Sequence, residues 1–353
     1  ERKYSIMDLS IFKKLRNLGY SLPEALAELV DNSIKASAKN IWIYMFWADD
    51  SGKNSYVMVC DDGKGMNENE LLNEALTFPK AEKFDEGELD LSKFGLGLKT
   101  GSFQHCKSIT VITKINSNIL KKRLVCGASS ITDEMPNCIN HKFINKQMEI
   151  FQKQKSGCII IWSELDRMIN LRSQSRVLNF YDDQEKAKKH FKLIYHKFLL
   201  DNQINIFFNG NDDHHKISRW DPFYKKNPDG IKLEDIELNF FGNGKAKIKP
   251  WIIPENLPYR ETSNEPTSNL QGLYFFRKKR LISHGGWFDL GRGEWGIQEK
   301  YNRLRIEIDI PLESDEEWLT ISKNKVLIPE FAMRQLEKSI GLIRKKYIEK
   351  LRN

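Results

Sequence analysis

No apolar run in this sequence approaches the ~18 residues of a membrane-crossing helix, and nothing in it reads as a signal peptide. A helical membrane protein is therefore not expected. Cysteine is sparse: five residues, odd in number and far apart, form neither a zinc spacing nor a disulfide framework. A reducing cytoplasm is the simplest home for such a chain. The alternation of strand and helix that builds a dinucleotide-binding parallel sheet is missing, which argues against a Rossmann domain. No internal repeat is visible. No zinc finger, recognition helix or nuclease motif occurs, so sequence-specific readout of DNA is not predicted.

What the sequence does hold is enough apolar material for large cores. Of 353 residues, 40% are hydrophobic and 11% aromatic, which suits two domains of ordinary size and argues against disorder. The formal charge of +8 and pI near 9.0 favour an anionic partner such as a nucleotide, nucleic acid or acidic surface. The chain starts at Glu1 rather than a methionine and stops within a charged helical stretch, which leaves room for a further domain.

Helical spacing of Leu22, Leu26, Leu29, Val30 and Ile34 predicts a helix over 21–38, with Ser21 as its cap and Pro23 in its first turn. Strands are predicted at 40–48 and 55–60, a short helix at 68–78 and a polar loop at 79–93. A helix after a glycine turn at 97 and strands at 108–114, 121–129 and 157–165 complete a first domain, placed at 1–180. Short links between strands imply a mixed or largely antiparallel sheet with helices on one face, an α+β two-layer sandwich. A basic amphipathic helix over 182–202 leads into a β-rich second domain, placed at 181–353, which closes with a helix over 329–353.

Three short stretches carry chemistry. In "LAELVDNSIKA" (26–36), Glu28, Asp31, Asn32 and Lys35 share the polar face of the helix. "CDDGKGM" (60–66) ends a strand with Asp61, able to accept a hydrogen bond from an adenine amino group. Gly63 and Gly65 there allow close backbone approach, and the Met66 thioether suits a flat base. "SKFGLGLKTGS" (92–102) sets Gly95 and Gly97 before a helix whose free N–H groups can hold phosphate, with Lys99 as a point charge. Taken singly, each is also compatible with a solvated helix face or an ordinary turn.

In order and spacing, the three stretches together resemble the GHKL ATPases, whose ATP-binding domain has the Bergerat fold. That superfamily comprises type II topoisomerases, ninety-kilodalton heat-shock chaperones, histidine kinases and MutL-like proteins. The resemblance implies ATP and Mg²⁺ as ligands, Glu28 as the general base and Asn32 as the metal ligand. It implies that Asp61 reads adenine, that Gly63, Gly65 and Met66 form the base pocket, and that residues 79–98 are the ATP lid. Phe94, Gly95, Gly97, Leu98, Lys99 and Thr100 then surround the phosphates. Two departures stand out: Lys35 replaces a frequent aspartate, and Cys158 occupies the place of a threonine, a weaker hydrogen-bonding group against adenine.

A histidine kinase would need a phosphoacceptor helix pair. The β-rich second region instead resembles the transducer domain of the topoisomerase, MutL and chaperone branches, in which a lysine reaches the γ-phosphate; "WLTISKNKVLIP" (318–329) offers Lys323 and Lys325 equally. "LAELVDNSIKA", "INIFFNG…WDPF" (204–223) and "GLYFFRKKRLI" (272–282) are most similar to bacterial MORC-like ATPases. That likeness implies ATP-driven homodimerisation and non-sequence-specific action on DNA, with a setting in anti-phage defence and partner proteins. The basic segment "FRKKR" (276–280), with Arg292, Arg303 and Arg305, is the candidate DNA contact, or else a solvated hairpin turn. A chaperone-like client binder with the same ATP site, and a nucleotide sensor without turnover, are the competing readings.

Overall fold

The computed structural model describes residues 16–17, 19–48, 54–77, 97–126, 131–168, 176–255, 257, 267–291, 294–320 and 325–352. The chain divides into two compact units, Glu1–Phe191 with Asn202–Ser218, and Lys192–Asp201 with Arg219–Asn353. The architecture is α+β.

The first unit is organised on a mixed six-stranded sheet. Its strands are β1 (Asn40–Phe46), β2 (Tyr56–Asp61), β3 (Ser108–Ile115), β4 (Asn118–Val125), β5 (Ser156–Ser163) and β6 (Asn205–Phe208), in the order β4-β3-β5-β2-β1-β6. All neighbours are antiparallel except β1 and β6. Side chains of β2, β3 and β5, the strands at the centre, are buried on both faces, and β-branched residues are frequent among them.

Helix α1 (Leu22–Lys35) starts where Ser21 donates its N–H and hydroxyl to the Glu24 carboxylate at 2.8 and 2.7 Å. It buries Leu22, Ala25, Leu26, Leu29 and Val30. Helix α2 (Gly97–Phe103) crosses it closely: a Cβ on Gly101 would lie 3.3 Å from the Ala25 Cα. Asp61, Val59 and Val57 alternate toward the face that meets Ser33 of α1, while Met58 and Cys60 point the other way. That second face is covered by α3 (Lys142–Lys153), whose Ile144 and Phe151 join Tyr56, Met58, Cys60, Ile159 and Ile161 in one cluster. Helix α3 is missing from the sequence reading, because seven of the twelve residues in "KFINKQMEIFQK" are polar and its buried stripe is narrow. The segment read as a short helix over 68–78 contains a π-helix, Glu70–Leu76. Helices α4 (Arg176–Ile194) and α5 (His196–Leu200) cover the predicted basic helix.

The second unit has its own six-stranded sheet. It contains β7 (Ile231–Lys232), β8 (Ile236–Asn239), β9 (Lys245–Ile252), β10 (Gly272–Arg277), β11 (Arg280–His284) and β12 (Leu304–Asp309). The order is β11-β10-β12-β9-β7, with β8 also on β9. Alternation splits β12 cleanly. Leu304, Ile306 and Ile308 enter an apolar core with Ile248, Leu273 and Phe275. Residues Ala332, Leu336, Ile340, Ile343 and Tyr347 of the long α7 (Glu330–Arg352) close that core, at the three-to-four spacing of one helix face. A short α6 (Asp315–Trp318) adds Trp318 to it. Arg305, Glu307 and Asp309 alternate to the opposite face of the sheet.

Candidate functional site

Asp61 closes β2 and is 5% exposed. Its two carboxylate oxygens are held separately: Oδ2 accepts from the Ser33 hydroxyl of α1 at 2.9 Å, and Oδ1 accepts from the Gly63 N–H at 2.9 Å. The register aligns Asp61 with Cys158 of β5, and Cys158 with Thr113 of β3, so the three side chains form a row across adjacent strands. Burial raises the Asp61 pKa to about 6, and the bonds from Gly63 and Ser33 pull it back only in part. Burial likewise pushes the Cys158 thiol well up, so it stays neutral.

The turn after Asp61 is tied on both sides. Lys64 donates its backbone N–H to the Ala36 carbonyl at the end of α1 at 2.9 Å. The Asp62 carboxylate accepts the N–H groups of Lys39 and Asn40 at 2.7 and 2.9 Å. Gly65 has φ +71°, and a Cβ there would lie 2.2 Å from the Lys114 carbonyl oxygen, so only glycine fits. At Gly63 a Cβ would press on Ala36 at 2.9 Å and on the Asp61 carboxylate at 3.0 Å. Met66 donates its N–H to the Thr113 hydroxyl at 2.6 Å. Together these bonds tie the turn 61–66 to the end of α1 and to β3, and both glycines pack their backbone closely against those elements.

Glu28 and Asn32 sit one turn apart on the half-buried side of α1, beside Asp31, whereas Lys35 is exposed. Leu98, Lys99 and Thr100 open α2 and are buried. Lys99 is fully buried, and its ammonium donates to the carbonyls of Thr77 at 2.6 Å and Glu74 at 3.1 Å, at the end of the π-helix. Burial lowers its pKa to about 7. The lysine read as a point charge for phosphate thus rests on backbone carbonyls. Phe94, Gly95 and Lys323 lie outside the described residues, as do residues 79–96 of the lid read at 79–98. Lys325 belongs to the second unit, where it is exposed and donates its N–H to the Thr320 hydroxyl at 3.3 Å.

Sequence reasoning missed Ser33 and Thr113. Ser33 was legible only as a small residue on the buried face of an amphipathic helix. Thr113 lies inside an apolar strand, and its hydroxyl comes beside Cys158 only through strand pairing. The basic reading of the second unit needs correcting. Arg305 is fully buried, donates to the Pro222 carbonyl and lies over the Tyr224 ring, so it is no surface contact for DNA. Arg303 is engaged by the Ile253 carbonyl at 2.8 Å, and Arg292 lies outside the described residues. Lys278 and Lys279 form the exposed turn between β10 and β11, with φ +48° and +73°.

Among the described residues no cluster of three or more His, Cys, Asp or Glu side chains could hold a metal by itself. Mg²⁺ typically takes one or two protein oxygens and completes its shell with phosphates and water. The Asn32 amide oxygen is a suitable single donor. The buried carboxylate of Asp61 is a suitable acceptor for the amino group of a base.

The Asp61 pKa sets a pH dependence. Its folded value, about 6, lies above the ordinary 3.8, so the stability it contributes is complete below about pH 4 and is lost as pH rises through about 6. Relative to Asp61→Asn, which does not titrate, the wild-type chain is expected to lose stability between those limits and stay level above them. Denaturant midpoints of both proteins at about pH 4 and about pH 7 measure this.

Residues 20–157 match the profile of the histidine kinase-, DNA gyrase B- and HSP90-like ATPases. Over 90 residues the chain is 34% identical to ATPase MORC2B of Mus musculus, covering 26% of this chain and 9% of that protein. ATPase MORC2 of Homo sapiens matches at 34% over 90 residues, again 26% of this chain and 9% of the relative. ATPase morc-1 of Caenorhabditis elegans matches at 33% over 90 residues, 26% of this chain and 10% of that protein. The chain thus aligns with about a tenth of these relatives. A crystal structure described as the N-terminal domain of a DNA repair protein superposes with TM-score 0.57 at 14% identity, covering 97% of this chain and 98% of the other, a likeness of fold. No helix among the described residues is long and apolar enough to cross a membrane. Residues 20–157 thus resemble the histidine kinase-, DNA gyrase B- and HSP90-like, or GHKL, ATPases, and a stretch of 90 residues is similar to MORC ATPases.

Proposed function

We propose that the first unit binds ATP with Mg²⁺ and hydrolyses it. The observation that carries this reading is Asp61, a buried carboxylate at the end of β2, held by Gly63 of the turn and by Ser33 of the helix that bears Glu28 and Asn32. In this reading Asp61 accepts the adenine amino group, Gly63, Gly65 and Met66 pass along the base, and Thr113 adds a hydroxyl beside Cys158. Asn32 holds the metal, which when bound offsets charge on the phosphates. Glu28 orients a water and takes its proton. Gly97 to Thr100 approach the phosphates through their backbone.

The MORC likeness supports a further step, in which ATP drives two copies together and changes a grip on DNA, in a setting of anti-phage defence. Mg²⁺-dependent phosphate release by the purified chain, with light scattering with and without a non-hydrolysable ATP analogue, tests both steps. Turnover is expected to be slow and the mass to double with the analogue. Absent turnover would favour the nucleotide-sensor reading. A DNA shift assay at low salt separates DNA handling from the chaperone-like reading, which expects no shift.

A further inference from the structure

The charged face of the second unit's sheet carries an arrangement that the ATP reading does not use. Glu307 of β12 is 2% exposed at its side chain and receives three ammonium groups: Lys197 at 2.7 Å, Lys225 at 2.7 Å and Lys249 at 3.0 Å. Lys249 and Lys197 also reach Asp309, at 2.5 and 3.4 Å. The three lysines come from different places: α5, the segment after Trp220, and β9. Three cations therefore converge on two carboxylates.

These groups line a cleft of about 780 Å³, the size of a small-ligand pocket, within the second unit. Six basic side chains face it against four acidic ones, and its His196 stays neutral because burial lowers its pKa to about 3. Lys226, on the rim, is exposed and has no carboxylate partner among the described residues. Lys225 gives one side-chain hydrogen bond, to Glu307, and so keeps donor capacity. Trp220 and Tyr224 form an apolar wall.

A purely structural ion network would need fewer lysines. Withdrawing an ammonium from water is costly, and a buried pair seldom returns more than a well-packed apolar substitute. Here five lysines line the cleft against four carboxylates, and Lys226 faces it with no carboxylate partner among the described residues. Lysine is suited to a compact anion as a point charge with three donors.

We propose that this cleft binds a phosphate dianion, seated between Lys225, Lys226 and Lys249. The anion would offset the excess of positive charge and leave Glu307 and Asp309 holding the lysines in position. Free phosphate and a phosphorylated side chain share this chemistry.

The test is calorimetric titration of the full chain with orthophosphate and, separately, with phosphoserine, repeated on Lys226→Gln and Lys225→Gln. Binding of one or both in the millimolar range or tighter is expected. Lys225→Gln is expected to weaken it about tenfold, the loss of one charge-assisted contact, and Lys226→Gln severalfold. The stronger of the two ligands identifies the source. Lys226 lies outside the ion cluster, so that variant keeps the test valid if Lys225→Gln unfolds. No binding below about 10 mM of either probe, or binding unchanged in the folded variants, would overturn the proposal and leave the cluster a structural ion network.

Discussion

Glu28→Ala is expected to abolish ATP turnover while leaving ATP binding within about twofold. A positioned general base contributes roughly 10²–10⁴ in rate, so the loss should reach that range. The apolar packing of the helix should survive. Glu28 lies on the half-buried side of α1, away from the buried stripe of Leu22, Leu26 and Leu29, and alanine favours a helix. A fall in phosphate release with an unchanged binding isotherm and unchanged melting would therefore be chemical in origin. Unaltered turnover would remove Glu28 from the role.

Asp61→Asn has the second large effect, and it runs in opposite directions for binding and folding. The amide oxygen can still accept from Gly63, and the Ser33 hydroxyl can turn to accept from the new NH₂. What is lost is the charged acceptor for the adenine amino group. Hydrogen bonds to charged groups contribute about 1.5–3 kcal/mol, which weakens ATP binding by about 10- to 100-fold. Folding should instead be neutral or gain at pH 7, because burial raises the wild-type pKa to about 6 and keeping that carboxylate ionised is costly. Nucleotide titration and chemical denaturation of the same variant separate the two. Weaker folding with unchanged affinity would contradict the assignment of Asp61.

The three stretches were legible as a helix face and glycine turns because each depends on local chain geometry. The face of α1 follows from helical period, and the turn at Gly63 and Gly65 from the need for a backbone without Cβ. Residues that complete the site through tertiary contact were not legible. Thr113 meets Met66 across 47 positions of sequence, and Ser33 meets Asp61 across 28. Lys99 illustrates the limit of a motif. The pattern places a lysine beside glycines, yet its ammonium goes to the Glu74 and Thr77 carbonyls that the π-helix leaves at its end. In the second unit the alternation of "LRIEID" puts Arg305, Glu307 and Asp309 on one face, but not how deeply residues 220–225 bury it.

The nucleotide assignment meets its most direct test in a crystal structure of the chain with a non-hydrolysable ATP analogue and Mg²⁺. The adenine amino group is expected within hydrogen-bonding distance of the Asp61 carboxylate, with the metal on the Asn32 amide oxygen. A nucleotide bound elsewhere, or an adenine turned away from Asp61, would contradict it.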